Sequence, residues 1–573
     1  MKARFSRHAI PLALLLFAGT AFCVAAAKHA IPVADTILLR ARIYTGNPNQ
    51  PWAQAVAIRD GKIMQVGDDD AINKLRGAVT EVIEGQGHLV LPGFVDCHIH
   101  FLDGSLSLGR VNLEGAKDTA EIQQRLRDYA AKHSGTGWIL GRGWNYAMFG
   151  AETLPHKKYL DEIFPDRPVF LEGYDGHTYW ANSKALALAG IAAGTPDPPN
   201  GAIVRDPKTH EATGALKESA QQLVAHIVPK PSRTENLAAL RAGMRWANEH
   251  GLTRVHSAGG DFEYLDLYDE LRRQGQQTLR FYMAYFLNPP ELRPKDLEAI
   301  ESARKRFRDE WIDTNVVKMM VDGVIESHTA AMLEPYSDDA SAKGKLFWDP
   351  AKYDAAVAEL DHRGLQLFTH AIGDYAVRTA LDGYERAAQT NHTQDRRPRI
   401  EHIETVTTAD IPRFGKIGVI ASMQPLHSYP DADTLDVWAR NAGPDRASRA
   451  WAWKSIANAG GHLAFGSDWP VVTLNPWEGV QTAVTRQTME GKPDSGFVPE
   501  QRLSVEEAVR GYTSGAAYAG RREKSEGSIE PGKLADLIIL SQNIFEIDAH
   551  RISETKVLTT MVGGRVVYRA PVK

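Results

Sequence analysis

The sequence predicts an α/β protein centred on an eight-stranded (β/α)8 barrel. It also predicts a small composite β-sandwich domain made from both chain ends and an insertion domain after the first barrel strand. Three observations support this. Apolar strand-like segments alternate with helical ones through most of the chain, β-rich segments occur at both ends, and one long stretch fits neither pattern. A chain of 573 residues is also long enough for more than one domain.

The first residues have the pattern of an export signal. Lys2, Arg4 and Arg7 precede an apolar run over residues 10–22, and three alanines at 25–27 offer a cleavage site. The apolar run is shorter than the about 20 residues that span a bilayer. We therefore predict a signal peptide over residues 1–27, with cleavage near Ala27, and a periplasmic or secreted protein without a membrane anchor.

The composition is that of an ordinary globular protein. It has 66 basic and 71 acidic residues, a net charge of −5 and 43% hydrophobic residues. The sequence shows no basic patch of the kind that nucleic-acid binding requires. We therefore expect no nucleic-acid partner. Separately, we expect a small-molecule substrate, and a homodimer is possible.

Both chain ends have strand patterns. Residues 53–66 read as a hairpin that turns at Asp60-Gly61, and residues 556–568 repeat the pattern around Gly563-Gly564. Neither end forms a sheet large enough to be stable alone. We therefore assign residues 28–90 and 522–573 to one composite β domain.

The barrel is predicted over residues 91–103 and 236–521. Its first strand ends in His98-Ile99-His100, and seven apolar strand candidates follow with helical segments between them. These seven candidates are residues 253–257, 279–286, 315–321, 365–370, 399–403, 419–424 and 462–468.

Residues 104–235 are predicted to form an insertion domain. This stretch follows the first barrel strand, whose carboxyl end opens onto the catalytic face of such barrels. It could therefore cap an active site. Its polar and aromatic residues could reach a substrate or serve only to hold the cap together; they are Arg142, Trp144, Asp175, His177, Trp180 and Asn182.

Side chains of metal-ligand type follow the predicted barrel strands. His98 and His100 share one side of a strand because side chains alternate with a period of two. Imidazole is a favoured ligand of zinc and similar ions. Four further candidates lie at the ends of other strands: Lys318, His370, His402 and Asp468.

The chain resembles the amidohydrolase superfamily, of the amidohydrolase 3 type, and specifically the branch that includes N-substituted formamide deformylases. The resemblance covers nearly all of the chain after the signal segment. It rests on several strings together: residues 92–100, 175–183, 317–323, 401–402, 422–425, 465–470 and 527–537.

The resemblance implies a centre of two divalent metal ions, with zinc as the first expectation. His98 and His100 would hold the first ion, and His370 and His402 the second. Lys318, carboxylated by CO₂, would bridge them, and Asp468 would bind the first ion and exchange protons with a bridging hydroxide as general base and acid. The alternatives for Lys318 are a one-metal site, or a buried lysine paired with Asp322 or Glu326.

The leading functional hypothesis is an exported metal-dependent hydrolase of a non-peptide C–N bond in an amide, formamide or cyclic amide. Such ligands equally permit a lactone, carbamate or phosphoester, because a fold does not set its substrate. A non-catalytic regulatory protein is a third hypothesis. The candidate substrate contacts are Arg142, Trp144, His177, Glu326, Gln424 and His427.

Overall fold

The computed structural model describes residues 33–133, 137–152 and 154–571. The predicted signal peptide, residues 1–27, lies outside the described residues. Among the residues described, no helix has both the length and the apolar character needed to cross a membrane.

The chain begins with strands that belong to two different sheets. Residues 55–59 and 62–67 form the two strands of the predicted hairpin, in which Asp60 and Gly61 have φ angles of 51° and 73°. The elements are β1 (Ala34–Leu39), β2 (Arg42–Tyr44), β3 (Trp52–Ala53), β4 (Ala55–Arg59), β5 (Lys62–Gly67), α1 (Asp69–Asn73), β6 (Arg76–Glu84) and β7 (Leu89–Pro92).

The first barrel strand and the insertion follow. The insertion forms its own six-stranded sheet, ordered β13-β14-β12-β11-β10-β9. The elements are β8 (Phe94–Ile99), α2 (Phe101–Ser107), β9 (Val111–Asn112), α3 (Thr119–Lys132), β10 (Ile139–Trp144), α4 (Lys158–Asp161), β11 (Val169–Gly173), β12 (Thr178–Ala181), α5 (Ser183–Leu188), β13 (Gly201–Arg205), β14 (Ala212–Glu218) and α6 (Gln222–Ala225).

Seven more parallel strands complete the barrel sheet, ordered β21-β20-β19-β18-β17-β16-β15-β8. A parallel bridge between Ile99 and Trp469 joins its two ends. The predicted eight-stranded barrel is therefore confirmed. The strands are β15 (Leu252–Ser257), β16 (Arg280–Leu287), β17 (Ile312–Met320), β18 (Gln366–Ala371), β19 (Arg399–His402), β20 (Ile420–Met423) and β21 (His462–Phe465).

Helices between and after these strands surround the sheet. The helices are α7 (Arg233–Glu249), α8 (Leu265–Arg273), α9 (Pro294–Arg306), α10 (Pro350–His362), α11 (Asp374–Asn391), α12 (Ile411–Ile417), α13 (Ala439–Ala442), α14 (Pro444–Ala447), α15 (Trp453–Asn458), α16 (Pro476–Thr485), α17 (Val505–Tyr512) and α18 (Ser514–Ala519).

The C-terminal strands return to the first part of the chain. Strands β22 (Leu537–Leu540), β23 (Val557–Val562) and β24 (Arg565–Arg569) extend a six-stranded sheet, ordered β24-β23-β22-β7-β2-β3. The other sheet is ordered β5-β4-β1-β6. Buried side chains from both sheets share one core, including Val56, Ile58, Val90 and Met561. The two chain ends therefore form a sandwich, as predicted.

Two expected boundaries differ from those observed. Leu91 and Pro92, which were expected in the barrel, lie in β7 and pair with Ile538 and Leu537 of the composite sheet. Gly93 lies between β7 and β8, and only glycine fits there because a Cβ would lie 2.3 Å from the Thr253 side chain. The other difference is that α7 begins at Arg233, within the stretch expected to be insertion.

Candidate metal centre

The structure gathers the six predicted metal ligands at one rim of the barrel. All six lie close to the carboxyl ends of barrel strands, where such barrels place their chemistry. Their positions are His98 in β8, His100 directly after it, Lys318 in β17, His370 in β18, His402 at the end of β19, and Asp468 in the loop after β21.

The loop after β21 is held tightly against the first barrel strand. A Cβ at Gly466 would lie 2.4 Å from the backbone nitrogen of His98, so only glycine allows this approach. The Ser467 hydroxyl donates a 2.5 Å hydrogen bond to Asp96, and the Asp468 backbone N–H donates one of 2.6 Å to the His98 carbonyl. These contacts place the Asp468 carboxylate beside the two histidines.

Two of the candidate ligands have unusual backbone conformations. Asp468 has a φ of 63° and His402 a φ of 75°, in the left-handed region that non-glycine residues seldom adopt. Such strain persists only where the surroundings impose it, and it is concentrated at functional sites. The strain thus coincides with the residues predicted to carry the chemistry.

His98, His100 and Asp468 form a compact set of ligand atoms. The Nε2 atoms of His98 and His100 lie 3.4 Å and 3.3 Å from Asp468 Oδ1. Lys318 Nζ lies 3.0 Å from His98 Nε2. Two imidazoles and a carboxylate within coordination reach of one point are a suitable donor set for zinc or a similar divalent ion.

The protonation states also suit metal binding. Burial, together with the nearby Lys318, lowers the pKa of His98 to about 4. Burial and the neighbouring His370 hold the pKa of His402 well below its usual value. Burial alone would raise the pKa of Asp468, but the facing histidines keep it well below its usual range. At neutral pH His98 and His402 therefore offer imidazole lone pairs, and Asp468 offers an ionised carboxylate.

A buried ion pair orients His98 from behind. Glu401 Oε2 lies 2.5 Å from His98 Nδ1, and Arg399 donates a hydrogen bond of 2.9 Å to Glu401 Oε1. Burial would raise the pKa of Glu401, but Arg399 and His98 lower it to about 2. A carboxylate on the far nitrogen of a histidine fixes the ring and leaves Nε2 for the metal. Glu401 was not among the predicted site residues.

His427 belongs to a second compact set with His402 and Asp468, whose ligand atoms lie within 4.8 Å of one another. It had been predicted as a substrate contact. His402 Nδ1, His427 Nε2 and Asp468 Oδ1 are buried and have no hydrogen-bond partner within the described part of the chain. Buried polar atoms are normally paired. These unpaired atoms therefore fit the divalent ions that the ligand pattern predicts.

His370 faces a different neighbour. Its Nε2 lies 3.2 Å from the Gly323 carbonyl, which can only accept a hydrogen bond, so this nitrogen carries the proton and Nδ1 keeps its lone pair for a metal. Its ring packs beside His402, with the centroids 4.5 Å apart. His370 thus lies at the rim, as predicted, but belongs to neither compact set.

The environment of Lys318 excludes the simple pairing considered for it. Asp322 instead accepts hydrogen bonds from the backbone N–H groups of Ala331, Ile372 and Gly373. Glu326 accepts one from the Tyr174 hydroxyl. Burial lowers the pKa of Lys318 to about 8.

A cavity of about 990 Å³ lies between the insertion and the barrel rim. Arg142, His177 and Glu326 line it, together with the metal-ligand candidates, so the insertion, which we call the cap, forms part of the cavity wall. Trp144 does not face it: its ring lies in the core of the cap, and its Nε1 donates to the Leu171 carbonyl. Gln424 is fully buried and is not among the described residues that line the cavity.

The other cap candidates divide between the two expected roles. Asp175 lines the cavity. Asn182 caps α5 and also accepts from the Val169 N–H. Trp180 is buried in the core of the cap. These last two therefore hold the cap together.

A charged pair within the cap also contacts the barrel. His177 Nδ1 lies 3.0 Å from Glu218 Oε2, and the Thr329 hydroxyl donates a 2.7 Å hydrogen bond to Glu218 Oε1. Burial would lower the pKa of His177, but Glu218 raises it to about 10. An imidazolium is thereby held at the cavity wall at neutral pH.

Known proteins are similar to this chain in sequence and in fold. Residues 81–568 match the model of a family described as "Amidohydrolase family". Protein LONG AFTER FAR-RED 3 of Arabidopsis thaliana is 34% identical over 94% of this chain and 92% of its own length. N-substituted formamide deformylase of Arthrobacter pascens is 26% identical over 93% and 98%. An uncharacterized metal-dependent hydrolase from Pyrococcus horikoshii OT3 has a TM-score of 0.71 at 26% identity, covering 90% of this chain and 99% of its own.

Proposed function

Because the chain belongs to the amidohydrolase family, we propose that this hydrolase cleaves a non-peptide C–N bond in a formamide, another amide or a cyclic amide. The observation that carries the proposal is the cluster of buried, unpartnered ligand atoms on His402, His427 and Asp468, beside a cavity large enough for a small molecule. The similarity to an N-substituted formamide deformylase supports the choice of bond.

The residues of the chain divide the work of such a reaction. Divalent ions bound at this rim would supply Lewis-acid polarisation of the scissile carbonyl and a water of lowered pKa. Asp468 is ionised and can take a proton from the attacking water, whose oxygen forms a bond to the carbonyl carbon. Asp468 can then return that proton to the nitrogen as the C–N bond breaks, which leaves an amine and a carboxylic acid.

Lys318 is proposed to act as a carbamate that bridges two ions, with zinc as the expected metal. Its lowered pKa of about 8 leaves a fraction of neutral amine at physiological pH. That amine can attack CO₂ and release a proton, which converts a cation into an anionic oxygen ligand. A lysine ammonium would instead repel two dications at this position.

We also propose that the enzyme acts outside the cytoplasm. This part of the proposal rests on the charged, apolar and small-residue pattern of residues 1–27.

The test is a substrate panel with a matched pair of variants. Purified zinc-loaded enzyme is assayed on N-substituted formamides, cyclic amides, lactones, carbamates and phosphoesters. We expect amine release from the amide substrates, and a loss of about 10²–10⁴-fold in kcat for Asp468→Asn because the proton acceptor is gone. Asp436→Asn, which alters an exposed carboxylate, serves as the control.

Two results would contradict the proposal. One is turnover of a lactone or phosphoester without any amide. The other is equal amide turnover by the Asp468 and Asp436 variants.

A further inference from the structure

The cap brings the ring of His177 close to the candidate metal ligands at the barrel rim. His177 lies in the turn between β11 and β12 and lines the cavity. The centroid of its ring lies 6.1 Å from the centroid of the His370 ring. Its side chain is 13% exposed, and the cavity is the space that it faces. A ring at this place can contact a substrate that is bound at the rim.

The two ring nitrogens of His177 have different surroundings. Nδ1 lies 3.0 Å from Glu218 Oε2. Within the described residues, the hydrogen bonds of this side chain involve Nδ1, which leaves Nε2 free for a ligand in the cavity. Burial would lower the pKa of His177, but Glu218 raises it to about 10, so both nitrogens carry protons at neutral pH. Nε2 is therefore available as a hydrogen-bond donor.

Glu218 is itself held firmly at the junction of cap and barrel. Its backbone N–H donates a 2.8 Å hydrogen bond to the His177 carbonyl, so the two residues are joined by both main chain and side chain. Its Oε1 accepts a 2.7 Å hydrogen bond from the Thr329 hydroxyl. Its φ of 49° lies in the region that non-glycine residues seldom adopt. Such strain persists only where the surroundings impose it, and it is concentrated at functional sites.

A donor at this place suits the charge that develops during hydrolysis of an amide. When water attacks the scissile carbonyl carbon, negative charge builds up on the carbonyl oxygen, and a fixed donor aimed at that oxygen lowers the barrier. The barrel supplies the candidate metal ligands, whereas His177 comes from the cap on the other side of the cavity. A carbonyl oxygen has two lone pairs, so it can accept a bond from His177 with one and keep the other for the metal centre.

We propose that His177 is a catalytic residue, which donates a hydrogen bond from Nε2 to the substrate's carbonyl oxygen as that oxygen gains negative charge, and that Glu218 and Thr329 position its ring. No proton is transferred in this role, so Asp468 keeps its proposed task as base and acid. The inference rests on the proposed function, because it requires attack on a carbonyl group at the rim.

The test combines turnover with the binding of a stable anion. His177→Ala removes the donor, His177→Gln keeps a neutral one, and Glu218→Gln removes the charge behind the ring. The matched control is His226→Gln, which alters an exposed histidine of the cap that is not among the described residues lining the cavity. Circular dichroism checks folding, and mass spectrometry checks that zinc content is unchanged.

Turnover is measured on the best amide substrate of the panel. We expect kcat to fall about 10²–10³-fold in His177→Ala with KM changed by less than about threefold, because the donor acts mainly in the transition state. His177→Gln should recover part of this loss, and Glu218→Gln should lower kcat about 10-fold with little change in KM. The control should match the wild type.

Methylphosphonate, which carries tetrahedral anionic oxygens, is titrated into each zinc-loaded protein by calorimetry. His177→Ala should bind it at least about 10-fold more weakly than the wild type, as expected for the loss of a hydrogen bond between charged groups. This measurement does not depend on turnover. A wild type that hydrolyses no amide while His177→Ala loses phosphonate affinity would contradict the proposed function and leave the donor role of His177 in place.

Two results overturn the inference. One is a kcat in His177→Ala within about threefold of the wild type, and the other is methylphosphonate affinity equal to that of the wild type. If His177→Ala does not fold, His177→Gln decides: its neutral amide should still lower kcat about 10-fold, and a wild-type kcat overturns the inference.

Discussion

The Glu401 carboxylate lies behind His98, and we expect it to raise the metal affinity of the set formed by His98, His100 and Asp468. Glu401→Gln would keep a hydrogen-bonding side chain but remove the charge that orients the imidazole and pairs with Arg399. We expect zinc affinity at the His98 set to fall about 10–100-fold. Competition titration against an indicator measures it. Glu359→Gln on α10 is the control because that glutamate forms its ion pair with a surface arginine, far from the rim. Equal affinities in the two variants would contradict a supporting role for Glu401.

Individual residues were predictable from the sequence to different degrees. His98 and His100 stood out because two imidazoles end an apolar strand, and Asp468 because it follows another. Glu401 left a weaker signal: Arg399 and Glu401 alternate within a short apolar strand, and charges there must be paired. The position of His427 had no such signal, because its approach to Asp468 depends on how the loop after β20 turns back over the rim.

The ion pair between His177 and Glu218 within the cap should depend on pH in a defined direction. The pKa of His177 is raised from its ordinary value of 6.5 to about 10 by Glu218. A raised pKa in the folded state contributes stability that is fully present below about pH 6.5 and is lost as pH rises toward 10. We therefore expect Glu218→Gln to lower the free energy of unfolding by about 1.5–3 kcal/mol near pH 6.5 and by much less near pH 10.

Urea unfolding at several pH values measures this difference. Glu211→Gln is the control in the same insertion, because Glu211 forms an exposed ion pair with Lys157. A difference between wild type and Glu218→Gln that stays constant from pH 6.5 to 10 would contradict the assigned pair.

At the scale of elements, alternation of strand and helix was enough to predict the barrel and its number of strands. The residue at which the composite sheet ends and the barrel begins could not be predicted from the sequence. Residues 89–99 read as one apolar run, yet β7 joins the composite sheet and β8 the barrel. Gly93 lies where one strand ends and the next begins, and it packs so closely against Thr253 that a Cβ would not fit. Those two residues lie far apart in sequence, so the sequence pattern does not reveal this contact. The substrate-facing side of the cap was equally hidden, because Arg142 and Trp144 share a strand but lie in the cavity wall and the cap core.

At the scale of the whole molecule, the residues expected to carry the chemistry and the buried ion pairs expected to stabilise the fold lie at opposite ends of the barrel. The candidate metal ligands lie at the carboxyl ends of the strands. At the amino ends, Arg280 at the start of β16 forms a buried ion pair with Asp536, which directly precedes β22 of the sandwich. Arg254 in β15 likewise pairs with Glu526. Substitutions at the amino ends of the strands should therefore change stability and leave function unchanged.

The variant Asp536→Ala tests whether stability can fall while the metal site stays unchanged. It leaves Arg280 buried without its charge partner, which typically costs about 3–5 kcal/mol. We expect urea unfolding at a clearly lower concentration but an unchanged zinc content in the folded protein. The double variant Arg280→Met with Asp536→Leu should be more stable than Asp536→Ala, because neither charge then remains buried. Asp494→Ala removes an exposed ion pair and is the control. Loss of zinc from fully folded Asp536→Ala protein would show that the two ends of the barrel are coupled.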